Sequence, residues 1–195
     1  MACKYINSKK RKSGFTLIET IVGIVVLAIS FSVITTLIYP VVEQSADQLH
    51  QVKAAELGQS LLNEIQNKAF DEKSDKTGGV IRCGDMAPAP ACTTNDKLGA
   101  DTDEVRATYD DVDDYDGLSF NPGNGPIENS QGQSLGELYL GYGLTVEVCN
   151  DGDYDGNCSA KILENIDTST AKLITVTIIT PNGFDIQFST YRANF

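Results

Sequence analysis

Asp151, Asp153 and Asp155 stand at alternate positions of an Asp-Gly-Asp-Tyr-Asp-Gly run that closes on Gly156. Oxygens spaced this way around a glycine turn suit a hard cation such as calcium, which takes roughly six to eight oxygen ligands. The twelfth position of such a loop normally holds a bidentate Glu. Here it is Ile162, and the nearest acid is Glu164. Two readings stand for the run: a calcium site, or a solvated Asp/Gly turn. A second run, Asp110 to Gly117, places Asp110, Asp111, Asp113, Asp114 and Asp116 close together. These carboxylates repel one another unless they are screened or bound to a cation. Their spacing matches no known loop.

Cys83, Cys92, Cys149 and Cys158 lie in Gly/Asp/Asn-rich sequence, while Cys3 sits apart in a basic N-terminal stretch. An even number of cysteines in loops points to disulfides and an oxidising compartment. Three connectivities are possible for four cysteines, and Cys83–Cys92 with Cys149–Cys158 closes the shortest loops. A zinc site is the competing reading. Neither pair has the C-x-x-C spacing, and the sole histidine, His50, falls on a helical stretch far from all four.

Charge and motifs narrow the function classes. The chain has 15 basic and 27 acidic residues, and Lys4, Lys9, Lys10, Arg11 and Lys12 all precede Gly14, so ten basic residues remain against every acid. Nucleic acid is bound through basic patches, so the acidic body excludes that partner class. With one histidine, no G-x-S-x-G and no glycine-rich phosphate loop, the sequence reads as non-enzymatic.

The element that carries the strongest pattern is the N-terminal one. Phe15 to Tyr39 is apolar over 25 residues with one charge, Glu19. About 20 such residues cross a bilayer as a helix. Lys9-Lys10-Arg11-Lys12 lies just before it, which holds the N-terminus in the cytoplasm and sends the chain after residue 40 to the other side. The run is too long for a cleaved secretory signal, and Tyr39-Pro40-Val41-Val42 offers no small-residue cleavage site after it. An ionisable group inside a membrane segment costs about 2.5–3.5 kcal/mol on insertion scales, so Glu19 needs a purpose and a partner.

Ser13-Gly14-Phe15-Thr16-Leu17-Ile18-Glu19, behind a short basic leader and ahead of an apolar helix, resembles the signature of type IV prepilins. The resemblance implies that a membrane prepilin peptidase cuts between Gly14 and Phe15 and methylates the new amine of Phe15. It also implies that the apolar helix stays in the mature chain and enters a filament of other pilin subunits through an inner-membrane assembly machinery. Glu19 would then pair with the positive Phe15 amine of a neighbouring subunit and set the axial register, as a buried polar group does in a coiled coil.

Pro40 frees the carbonyl of Thr36 and is expected to kink the helix there, with Thr35 and Thr36 hydroxyls available to the freed backbone. Beyond it, Ala54, Leu57, Leu61, Ile65 and Ala69 recur at helical spacing, with Gly58 and Leu62 beside them. Glu56, Gln59, Asn63, Gln66 and Asn67 line the opposite face. Residues 71–137 show little periodicity. Strands are expected over Leu138–Val148, Leu173–Thr180 and Phe184–Tyr191, the last two joined by the Pro181-Asn182-Gly183 turn, with Phe184, Ile186 and Phe188 on one face.

The expected class is α+β: one long N-terminal helix, membrane-spanning in its first half, packed on a C-terminal antiparallel sheet with a loop-rich middle. This is the pilin architecture that the resemblance implies. The expected division is a removed leader (1–14), a membrane or filament-core helix (15–39), an amphipathic helix (40–70) and a loop-rich β part of the same domain (71–195). The expected location is the inner membrane, single-pass with a periplasmic domain, and then the cell surface. The chain segments Tyr39–Asp47, His50–Leu57, Phe70–Lys73, Arg82-Cys83 and Asp111–Tyr115 further resemble minor pilins of mannose-sensitive haemagglutinin pili. Three roles fit: a minor pilin, an adhesive tip pilin, or a pseudopilin of type II secretion.

Overall fold

The computed structural model describes residues 14–75, 81–86, 88–122, 125–158 and 167–195, without the side chains of 40–43. The basic leader before Gly14, together with Ile162 and Glu164, lies outside the described residues. Among the described residues, one helix, α1 (Leu17–Gln66), is followed by four strands: β1 (Ser119–Phe120), β2 (Gly143–Asn150), β3 (Ala171–Ile179) and β4 (Asp185–Ala193). They form one antiparallel sheet in the order β1-β2-β3-β4. The class is α+β.

The chain divides into two compact units, one up to Ala46 and one from Asp47 to Phe195. In the first unit Phe15 and the apolar side chains of α1 from Leu17 to Tyr39 are exposed. That helix is long and apolar enough to cross a membrane.

The second unit is built on the amphipathic stripe. Ala54, Leu57, Leu61, Leu62 and Ile65 turn inward and meet Leu144, Val146 and Val148 of β2 and Ile174, Val176 and Ile178 of β3. Ile186 and Phe188 of β4 close the flank of this core. Gly58 explains how closely helix and sheet approach: a Cβ there would lie 2.5 Å from a ring carbon of Phe188. Glu56, Gln59 and Asn63 remain exposed, so the polar face is where the spacing puts it.

The boundaries differ from expectation in three places, each for a local reason. The amphipathic helix ends at Gln66 rather than residue 70. Ala69 has left it to pair with Asp111, its N–H donating to the Asp110 carbonyl and its own carbonyl accepting from Val112. The first expected strand loses Leu138–Tyr142, which form turns leading into Gly141 at a φ of +79°, a left-handed conformation that a strand does not accept. β2 starts only at Gly143. Finally, Phe184 lies outside β4 and is exposed, while Ile186 and Phe188 do share the inner face.

The middle region contains short elements. Two 3-10 turns, Asn95–Lys97 and Asp113–Tyr115, punctuate it, and β1 adds to the sheet by pairing Ser119 with Thr145 and Phe120 with Leu144. Cys83 is joined to Cys92 and Cys149 to Cys158, each across nine positions. The segment Asp167–Thr170 fastens the two disulfide loops. Ser169 lies against Gly84, Asp167 lies against Gly152, and the Asn194 amide donates to the carbonyls of Cys83 and Ser169.

Candidate functional site

At the N-terminal junction, Gly14 and Phe15 are exposed, and α1 opens two residues later at Leu17. Thr16 and Glu19 form a reciprocal cap. The Glu19 N–H donates to Thr16 Oγ1 at 3.3 Å, and the Thr16 N–H donates to Glu19 Oε2 at 3.4 Å. This is the Ser/Thr-x-x-Glu capping box, which satisfies two amide groups that a helix start leaves open. Glu19 is also the only charged side chain of the apolar stretch from Phe15 to Tyr39. The same carboxylate therefore closes the helix start and carries its charge.

Further along, hydroxyls are folded back onto the helix. Ser30 donates to the Val26 carbonyl, Thr35 to Phe31 and Thr36 to Val33. Thr35 and Thr36 thus bind preceding carbonyls instead of the backbone near Pro40, contrary to expectation. Back-bonding hides hydroxyl polarity where no water is at hand.

The acidic run at 110–116 is not a solvated loop. Asp111, Asp113 and Asp114 are all buried, and so are Asp71 and Lys172. Lys172, from the start of β3, uses all three of its N–H donors: one to the Phe70 carbonyl at 2.9 Å, one to Asp71 Oδ2 at 3.0 Å and one to Asp113 Oδ1. Its ammonium also faces the Phe70 ring, 4.6 Å from the centroid. Asp71 further accepts the Thr93 N–H at 2.7 Å and the Lys73 N–H at 3.0 Å. Burial opposes ionisation of Asp71, but Lys172 and these amides outweigh it and hold the carboxyl below the usual range. For Asp113 burial prevails over Lys172 and lifts the group to about 6. Burial, reinforced by the charges of Asp113 and Asp114, pushes Asp111 up to about 8.

Asp151, Asp153 and Asp155 do come together, with carboxylate oxygens within 4.8 Å of one another. Only Asp151 is buried. Its Oδ1 accepts the Asp155 N–H, and its Oδ2 accepts the Gly156 N–H at 2.9 Å and the Tyr191 hydroxyl at 2.7 Å. Burial works against its charge, yet the Tyr191 hydroxyl and the Gly156 amide outweigh that and depress its pKa. Asp151 in turn raises Asp153 by sharing a hydrogen bond with it. The central carboxylate of this loop is largely spent on organising the loop itself.

Zinc is ruled out at the cysteines, because all four body cysteines are oxidised in pairs. His50 is placed elsewhere, its Nδ1 2.7 Å from the Tyr142 hydroxyl. Two basic residues escaped the sequence reading. Arg106 is buried against the rings of Tyr109 and Tyr115 and pairs with Glu64 at 2.6 Å, beside a cavity of about 120 Å³. Lys172 sits one residue before the apolar run that marked the strand. A cation at that position, with no acid beside it in sequence, was the available signal.

Residues 9–35 match the family model described as the prokaryotic N-terminal methylation motif. No curated protein and no solved structure matches the chain. The matched span covers the Gly14–Phe15 junction, Glu19 and most of the exposed apolar stretch, so the chain carries the N-terminal methylation motif that supports a type IV pilin-like family.

Proposed function

We propose that this chain is a minor type IV pilin subunit. It is cut after Gly14, methylated on Phe15, held in the inner membrane by residues 15–39 with its acidic domain in the periplasm, and then built into a surface attachment pilus. There it helps assembly, priming or the tip. The observation that carries the reading is the methylation motif placed on an exposed apolar helix whose one charge is Glu19.

The capping geometry gives the assembly step a physical form. Before cutting, the Glu19 carboxylate closes its own helix through the Thr16 N–H. Cutting creates a cationic amine one residue away, at Phe15. In a filament, Glu19 exchanges its weak, exposed cap for the amine of a neighbouring subunit, which offsets two charges that lipid cannot solvate. Pro40 supplies the point at which α1 yields during packing, since its ring removes one helical hydrogen bond. Prepilin peptidase, other pilin subunits and the inner-membrane assembly machinery are the partners of this scheme.

The minor role rests on the similarity of the His50–Leu57, Phe70–Lys73 and Asp111–Tyr115 segments to the D-type minor pilin of the mannose-sensitive haemagglutinin pilus. Immunogold labelling of sheared filaments tests it. Sparse or terminal labelling is expected. Uniform shaft labelling would make the chain a major pilin, and absence from surface filaments would favour a secretion pseudopilin. Loss of attachment with filament number unchanged would favour an adhesive tip.

A further inference from the structure

We propose that Glu72, Asp110 and Asp111 form a binding site for a divalent cation of the calcium class, distinct from the Asp-x-Asp-x-Asp-Gly loop. Their carboxylates each offer an oxygen, and these oxygens lie within 4.8 Å of one another.

The observation that singles out this group is Asp111. The residue has no solvent exposure. Its Oδ1 accepts the Asp113 N–H at 2.7 Å and the Asp114 N–H at 3.3 Å, whereas its Oδ2 is buried without a hydrogen-bond partner. Buried polar atoms are nearly always satisfied, and an oxygen left unmet in a buried carboxyl group is costly. Nor does the neighbouring cation serve it. Lys172 has three N–H donors and spends them on Phe70, Asp71 and Asp113. With Oδ1 already holding two amides, Oδ2 is the Asp111 oxygen left for a cation.

The ligands are also held in place by the backbone. The pairing of Ala69 with Asp111, through the Ala69–Asp110 and Val112–Ala69 hydrogen bonds, fixes Ala69, three residues before Glu72, beside Asp110–Val112. Glu72 and Asp110 are exposed, so one side of the site opens to water, which completes the coordination shell. An all-carboxylate set with water favours a hard ion, and the absence of imidazole or thiolate from the group disfavours zinc and copper. Calcium tolerates such irregular geometry better than magnesium, which demands a near-ideal octahedron. Asp151 offers the contrast: its two oxygens already hold two amides and a tyrosine hydroxyl.

The test is calorimetric titration of the full-length protein in detergent with calcium chloride, paired with thermal melts. Wild type is expected to bind one calcium ion and to melt at a higher temperature with millimolar calcium. Glu72→Gln, an exposed change that leaves the fold intact, is expected to weaken binding at least about tenfold through the lost ligand charge. Asp111→Asn is expected to abolish it, and Asp153→Asn to leave it unchanged. Calcium binding by Glu72→Gln as tight as wild type would overturn the proposal, as would an absence of both heat and melting shift in wild type. So would loss of binding in Asp153→Asn with Glu72→Gln unaffected.

Discussion

Lys172 of β3 donates to Asp71 Oδ2 at 3.0 Å, with neither side chain exposed to solvent, and so pins the chain that leaves α1 to the first residues of the central strand. The two residues are 101 positions apart. No local element could make this link.

Lys172→Met is expected to destabilise the domain by about 3–5 kcal/mol. Methionine fills the same space, but Asp71 and Asp113 are left buried without their cation, which is the costly way to break an ion pair. A shift of the denaturant midpoint measures this. A change below about 1 kcal/mol would mean that both acids simply take up protons.

Gly58→Ala is expected to cost about 1 kcal/mol or more, although alanine is the better helix former by about 1 kcal/mol. The new methyl would meet the Phe188 ring, and overpacking costs about 1–3 kcal/mol. Trimming the ring with Phe188→Leu in the Gly58→Ala background should recover part of the loss. The double-mutant cycle reads that coupling directly.

The helix stripe and the last two strands were legible because their periodicity is local: inward positions three and four apart on α1, alternate positions on β4. So were the short-range cysteine pairs. The acidic run at 110–116 was not, since a buried Asp and a solvated Asp look alike until Lys172 arrives from far along the chain. β1 escaped because two residues hold no period and gain their strand character only by pairing with β2. Leu138–Tyr142 differs in the other direction: its alternating pattern predicts strand, but Gly141 turns the chain there. At the N-terminal junction the methylation motif was legible, because it is contiguous. What it lacked was the Thr16–Glu19 cap.

Replacing each disulfide by a serine pair is expected to lower stability by about 2–3 kcal/mol, the loop-closure value for so short a loop. The loss should be larger for Cys83–Cys92. Both of its sulfurs are buried with Phe70, so the substitution also puts hydroxyls into an apolar cluster. Melting temperatures of the two variants, compared in one buffer, give the order. The reverse order would contradict this packing argument.

Acid should loosen the Asp167–Thr170 segment. The Thr170 hydroxyl, then the Ser169 hydroxyl and amide, bind the Asp167 carboxylate and depress its pKa below the usual value. A depressed carboxyl contributes stability that is present above its unfolded pKa of about 3.9 and lost as pH falls through the folded value. Amide exchange at Ser169 should therefore be slow at pH 6 and accelerate, relative to its intrinsic rate, below pH 4. Asp167→Asn should remove this acid-dependent change.

The central claim is that α1 carries a processed filament terminus. Mass spectrometry of the N-terminal peptide, on protein recovered from sheared surface filaments, tests it most directly. The predicted result is a chain that begins at Phe15 and carries one added methyl, about 14 Da, on its amine. A chain that still bears Met1 and the basic leader, or one that begins beyond Glu19, would contradict the account.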